Sequence, residues 1–303
     1  MNILITGGNG FLGFNIIKKL LSEGHKIFVF SKDTSNLDII IDQIQFSYGH
    51  TKDLVFFKDD INFFSPDIVI HCGWSGGNSY AELNDLKQIY DNIEPGIEFL
   101  KILNQLPKKP KFIGFGSIIE YGKYSIPASE LQKETPIDLY GLSKLTFKNY
   151  SKMICDLWGI DWVWIRPCYV YGPYDVKTRL VPSLINKFLK GEDVTLDECN
   201  KKIDYLYIDD FVNLMYKLII SPHTGVYNIC SGKAYNLKEI INTIYLLSNS
   251  NSKINFDPSL NRKLASSYVC GDNNKIITTL NIKPQIDIKT GLLKTINHYR
   301  NEL

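Results

Sequence analysis

None of the six cysteines, at positions 72, 155, 168, 199, 230 and 270, stands in a Cys-x-x-Cys spacing, and no histidine falls beside them at zinc-ligand intervals. A sequence-coded zinc site or dithiol redox motif is therefore not expected, and the thiols read as small buried apolar groups in a reducing compartment. No apolar run is long enough to span a bilayer, and no charged n-region with a cleavage site precedes the strand-like Asn2-Ile3-Leu4-Ile5. The expectation is a cytoplasmic protein without a membrane partner. An excess of one charge is also lacking. Thirty-four Lys and Arg against 32 Asp and Glu give a net charge of +2, so nothing electrostatic argues for nucleic acid or an anionic lipid surface. Internal repeats and low-complexity blocks are absent as well.

What is present is an ordinary globular composition, 44% hydrophobic and 22% charged, over 303 residues. That length suits one large α/β domain with a smaller lobe. In the first half, short β-rich runs at 2–5, 27–31, 67–72, 112–116 and 161–166 alternate with helical stretches at 11–23, 82–106 and 138–158. With right-handed crossovers this predicts a doubly wound parallel Rossmann sheet. After Pro167 the segments shorten: a helix at 180–190, a strand near 194–196, a strand–helix unit at 203–220, and helices at 236–248 and 288–300. The expected division is a dinucleotide-binding domain over 1–167, joined by later segments at about 203–232, and a mainly substrate-binding α/β lobe over 168–303.

Thr6-Gly7-Gly8-Asn9-Gly10-Phe11-Leu12-Gly13 joins the first strand to an amphipathic helix. Gly7 permits the tight turn, Gly10 lets the backbone approach a pyrophosphate, and Gly13 lets the helix pack on the strand. The helix start, through Asn9, Phe11 and Leu12, offers backbone N–H groups and a positive dipole end to phosphates. At the end of the second strand, NAD readers place an acid for the adenosine 2′-hydroxyl. Here Ser31 and Lys32 occupy that place, and Asp33 comes late. A hydroxyl and a cation suit a 2′-phosphate, so NADP(H) is favoured and NAD(H) is the alternative. Lys32 also suits the start of a solvated loop.

Tyr140-Gly-Leu-Ser-Lys144 places a phenol and an ammonium four residues apart on one helix face. A neighbouring ammonium favours the phenolate, which equips Tyr140 for proton exchange with a carbinol oxygen. Tyr48 and Lys52 share the spacing without the context. That context is Gly114-Phe115-Gly116-Ser117, which ends a strand and offers Ser117 to the same oxygen.

TGGNGFLG at 6–13, IVIHCG at 68–73, GSIIEYG at 116–122, YGLSK at 140–144, IRPCYVYGP at 165–173, DYLYIDDF at 204–211 and VYNICSG at 226–232 together resemble the extended short-chain dehydrogenase/reductases. Within these the chain is similar to the NAD-dependent epimerase/dehydratase family, which acts on nucleotide sugars. The resemblance runs nearly end to end. It implies a catalytic triad of Ser117, Tyr140 and Lys144, with Lys144 also on the nicotinamide ribose. It implies a cofactor lining by Cys72, Gly73, Trp74 and Pro167, a supporting polar role for Asn92, and a homodimer formed through helices 82–106 and 138–158.

Departures from the family pattern narrow the chemistry. Sugar dehydratases of the family carry Thr-Asp-Glu where this chain has Ser117-Ile118-Ile119, and isoleucine can neither protonate a leaving hydroxyl nor abstract a ring proton. The epimerising branch with a Cys and a His finds Ile119 and Tyr174 in their places. A bare Ser–Tyr–Lys site then implies an NADP(H)-dependent reductase of a nucleotide-linked 4-keto-6-deoxy sugar, an enzyme of deoxysugar and polysaccharide biosynthesis. The alternatives are a nucleotide-sugar 4-epimerase with tightly bound NAD, or a nucleotide-sugar dehydrogenase. For the nucleotide-diphosphate sugar, Ser75 and Asn78 follow the fourth strand at the carboxyl edge of the sheet. Arg262 lies where the family often holds a diphosphate, Arg179 is a further cation, and Tyr169 replaces an Asn beside the sugar.

Overall fold

The computed structural model describes residues 1–77, 82–261 and 266–302. The chain forms two compact units: Met1–Glu120, Glu134–Arg166 and Met215–Tyr227 make the first, and Tyr121–Lys133, Pro167–Leu214 and Asn228–Leu303 the second.

In the first unit, strands β1 (Asn2–Thr6), β2 (Lys26–Ser31), β3 (Gln45–Tyr48), β4 (Ile68–His71), β5 (Lys111–Phe115) and β6 (Trp162–Pro167) lie in the order β3-β2-β1-β4-β5-β6. The strand Gly225–Ile229 lies beyond β6 and completes seven. The pairings from β3 through β6 are parallel, with Ile5 opposite both Val29 and Ile70. Strands covered on both faces need unbroken apolar runs, and Ile3, Leu4 and Ile5 are without exposure, as are Val69 and Ile70. Around the sheet stand α1 (Phe11–Ser22), α2 (Lys58–Phe64), α3 (Glu94–Gln105) and α4 (Leu139–Trp158). The strand order reverses between β1 and β4. A doubly wound sheet receives ligands there, outside the carboxyl ends of its strands.

The structure departs from the sequence reading at several elements, α2 and the strand Gly225–Ile229 among them. The single helix expected over 82–106 is a 3₁₀ turn at Glu82–Asn84, a π-helical turn at Ile89–Ile93, and then α3. Pro95 sits in the first turn of α3, where its missing N–H costs nothing, and it sets the helix start. The residues before it turn Gln88 and Asn92 inward. The edge strand β3 carries no sequence signal, because two of its four residues are exposed, two are half-exposed and it has no apolar run. By contrast α4 has clear punctuation. Asp138 accepts the Gly141 N–H at 2.7 Å, and Gly159, at φ 67°, ends the helix.

The second unit centres on Lys202–Tyr207. It pairs with Tyr169–Tyr171 and Tyr268–Val269 in parallel and with Ala234–Asn236 antiparallel. Val194–Leu196 and Ile254–Phe256 form a separate parallel pair. Helices Leu180–Leu189, Leu237–Ser248 and Ile288–Arg300 pack together. Among the described residues, no helix is long and apolar enough to cross a membrane.

Candidate active site

The β1–α1 turn is shaped by what side chains would strike. A Cβ on Gly7, at φ 69°, would lie 2.6 Å from the Gly73 backbone, so the turn lies directly against the loop after β4. A Cβ on Gly13 would meet the Gly7 carbonyl at 2.7 Å, the close helix–strand approach that the third glycine serves. Gly10 caps α1 with no side-chain hydrogen bond, and the first turn carries no acid. The residues therefore fit a dinucleotide: bare backbone N–H groups at a helix N-terminus suit a pyrophosphate. Phe11 is buried and Leu12 half-buried, so both face the turn through their backbone. Asn9 is tied to the loop after β2. Its amide donates to Asp33 at 2.8 Å and Ser35 at 3.2 Å, and its oxygen accepts the Asn36 N–H at 2.7 Å. Ser31 is buried at the end of β2 and Lys32 is exposed. Hydrogen bonds from Ser35, Thr34 and Asn9 hold the Asp33 carboxyl below its ordinary range despite slight burial.

Lys144 is buried, and its ammonium donates to the Phe115 carbonyl at 2.7 Å. That bond ties the Tyr140 helix to the end of β5, two residues before Ser117. Lys144 Nζ lies 5.7 Å from the Tyr140 ring centroid. Gly77, at φ 95°, lies against that ring, where a Cβ would come within 2.5 Å of Cε2. The Ser117 hydroxyl accepts the Ile119 N–H at 3.3 Å. Burial pulls Lys144 down to about 7, opposed by Glu120 and Cys72. The site therefore holds a phenol, a hydroxyl and an ammonium at the carboxyl end of the sheet, a set suited to moving one proton on and off a carbinol oxygen.

Sequence reasoning missed several participants. Glu120 has no exposure. It accepts the Ser117 N–H at 2.9 Å, the Trp164 indole N–H at 3.1 Å and Arg166 Nε at 2.8 Å. Arg166 also reaches Glu134 at 2.7 Å. Burial pushes Glu134 up, but Lys148 and Arg166 outweigh it and hold the carboxyl at about 2. His71 Nδ1 meets the Thr6 hydroxyl at 2.7 Å, and Thr6 also accepts the Gly73 N–H at 3.2 Å. Burial, followed by Lys144, pulls His71 down to about 3, so it stays neutral. Only an Asp-, Glu- or His-rich motif would have signalled these residues, and their partners are scattered along the chain.

Asn92 clamps the loop after β4. Its oxygen accepts the Ser75 N–H at 2.6 Å and its amide donates to the Ser75 carbonyl at 3.0 Å. Cys72, Gly73 and Trp74 lead into this clamp. Pro167, Tyr169 and Arg179 belong to the second unit, where Tyr169 is exposed and Arg179 reaches Asp175 at 3.4 Å. Asn78 and Arg262 lie outside the described residues. Also in the second unit, Cys168, Cys230 and Asp204 gather within 4.8 Å of one another. The Asp204 carboxylate already accepts from Ser231 N and Oγ and from Gly232 N, at 2.6–2.9 Å. It closes a turn rather than offering free lone pairs.

Residues 3–230 match the profile of the NAD dependent epimerase/dehydratase family. The dTDP-4-dehydro-6-deoxyglucose reductase of Escherichia coli is 26% identical over 314 residues, covering 98% of this chain and 97% of its own. The dTDP-6-deoxy-L-talose 4-dehydrogenase (NAD(+)) of Aggregatibacter actinomycetemcomitans is 26% identical over 250 residues, 80% of this chain and 88% of its own. Among solved structures, the UDP-glucose 4-epimerase of Thermotoga maritima with UDP-glucose matches with a TM-score of 0.91 at 23% identity, over 100% of this chain and 99% of that one.

Proposed function

The chain belongs to the NAD dependent epimerase/dehydratase family, and we propose that it is an NADP(H)-dependent reductase of a nucleotide-linked 4-keto-6-deoxy sugar. The observation that carries this reading is the state of Glu120. Ile118 and Ile119 stand where a dehydratase needs acids, and the adjacent carboxylate is taken up by Arg166, Trp164 and the Ser117 N–H. A carboxylate so engaged is poorly placed to abstract a ring proton. Simple carbonyl reduction needs only the phenol, hydroxyl and ammonium.

The nicotinamide, when bound, supplies the hydride. Tyr140 gives the proton to the C4 oxygen as the ketone becomes an alcohol. Ser117 hydrogen-bonds the same oxygen, and the Lys144 ammonium stabilises the phenolate left behind. Gly7, Asn9, Gly10, Phe11, Leu12 and Gly13 shape the pyrophosphate turn. The family resemblance assigns Cys72, Gly73, Trp74 and Pro167 to the cofactor, and Ser75, Asn78, Tyr169, Arg179 and Arg262 are assigned to the nucleotide sugar in this reading. A homodimer through α4 is part of this reading, supported by the apolar stripe that helix exposes.

Ser31 and Lys32 favour the 2′-phosphate of NADP(H). A second reading, a 4-epimerase or dehydrogenase using NAD(H), is favoured by one observation. Asp33, held ionised, is bonded to Asn9 of the glycine turn, where an acid would disfavour that phosphate. The test incubates the protein with dTDP-4-keto-6-deoxyglucose and NADPH or NADH. Net NADPH oxidation is expected, and Lys32→Ala should raise the KM for NADPH about tenfold while leaving NADH unchanged, the effect of losing ~1.4 kcal/mol from one charge-assisted bond. Epimerisation of UDP-glucose without net oxidation, with NAD retained through purification, would select the second reading.

A further inference from the structure

Lys144 has a neighbour that its place in the reducing site does not explain. Its Nζ lies 3.7 Å from the centroid of the Trp74 ring, directly over the indole face. The indole is itself held. Its N–H donates to Gln88 Oε1 at 2.9 Å, and the same oxygen accepts Asn92 Nδ2 at 3.0 Å. Gln88 and Asn92 are both buried, one helical turn apart, and Asn92 grips both backbone groups of Ser75. A Cβ on Gly76 would lie 2.3 Å from Gln88 Nε2, so the loop lies close enough over Gln88 to require glycine there. The Trp74 ring also lies near Phe147, with centroids 6.1 Å apart. Two buried amides, a π-helical turn and a glycine thus converge on the placement of one ring.

We infer that Trp74 is a positioning residue for Lys144: its indole face, fixed by the Gln88–Asn92 relay, holds the ammonium at the end of β5 and stabilises its charge. An ammonium over an indole is drawn to the ring's negative face, and the attraction strengthens where water is excluded. Of the titratable groups around Lys144, the Glu120 carboxylate also favours its charge, and burial outweighs it. His71 is neutral, burial keeps the Cys72 thiol protonated, and the Glu120 carboxylate is turned to Arg166, while Tyr140 presents its ring. Burial, opposed by Glu120 and Cys72, brings Lys144 to about 7. Near that value a small change in charge stabilisation decides how much ammonium is present at neutral pH.

This inference rests on Lys144 acting in the reducing site, but its test does not require a substrate. The full chain, labelled with lysine carrying ¹³C at Cε, is titrated by NMR, with the Lys144 signal assigned from its loss in Lys144→Met. In Trp74→Leu the Lys144 midpoint should fall by about one pH unit. Trp74→Phe keeps a weaker ring face and should fall less. Gln88→Leu, which frees the indole, should also lower it. If Trp74→Leu does not fold, as judged by loss of signal dispersion, Trp74→Phe and Gln88→Leu decide. Midpoints equal to wild type in the folded variants overturn the inference. With an active substrate, loss of the ammonium at lower pH should move the alkaline limb of kcat to lower pH. A lowered midpoint in a protein that reduces no sugar would retain the inference and remove the reductase reading. An unchanged midpoint in an active reductase would do the reverse.

Discussion

A phenol releases its proton near neutrality only beside a positive charge. Removing the Tyr140 hydroxyl is therefore expected to do more harm to turnover than to binding. Tyr140→Phe should lower kcat by about 10²–10⁴-fold, with cofactor affinity, read by fluorescence titration, within about twofold of wild type. Unimpaired turnover would remove Tyr140 from the proton path. The lysine sets the pH window. Because burial lowers Lys144 to about 7, the ammonium is present below that value and is lost as pH rises through it, so activity should decline on the alkaline side. Tyr140, Lys144 and the three glycines could be read from sequence because each requirement is local: a turn, a helix repeat, a strand-to-helix junction. The resemblance names Trp74 and Asn92, but the relay that joins them through Gln88 could not be read. Their contacts reach across 14 and 17 residues or to another helix, and an indole or an amide has many ordinary uses.

At the scale of elements, the end of β5 is held by charge as well as by the sheet ladder. Arg166 on β6 and Glu120 beyond β5 are both without exposure and are bonded at 2.8 Å. Such a pair adds little when compared with well-packed apolar residues, but breaking it strands a buried charge. Glu120→Ala should therefore cost about 3–5 kcal/mol in urea unfolding. Glu120→Gln, which keeps the shape and an acceptor, should cost less. Arg166 retains Glu134 in both variants, which sets the cost toward the lower figure. Unchanged stability in Glu120→Ala would show that Glu134 alone satisfies Arg166. The strands themselves were readable, since continuous apolar runs between turn residues have few other uses. The break at 82–93 was not, because the pattern continues at helical spacing while buried amides and Pro95 divide the path.

On the scale of the whole molecule, the second unit collects three separated stretches, including residues 121–133. Nothing in the local composition of those residues marks them off, because their grouping depends on distant partners such as Asn228, which accepts from the Tyr121 hydroxyl at 2.9 Å. The surface of the first unit is easier to argue. Helix α4 sends Phe147, Ser151 and Cys155 inward. Its opposite side exposes Leu142, Tyr150, Met153 and Leu157, the last two by 68% and 76%. Tyr150, Met153 and Leu157 recur at i+3 and i+4 and form one stripe, with Leu142 on the same face two turns earlier. A stripe of this kind on one rigid helix suits a self-complementary twofold contact, in which each copy presents the same residues to the other. Size-exclusion chromatography with light scattering should then give about twice the 34.7 kDa chain mass. The double variant Met153→Lys, Leu157→Lys should give the single-chain mass, since four ammonium groups would face one another across the axis. Both substitutions are at exposed positions, so the thermal transition of the isolated chain should persist. A wild-type chain that elutes at the single mass at micromolar concentration would leave this stripe without its partner copy and remove the dimer from the proposed function.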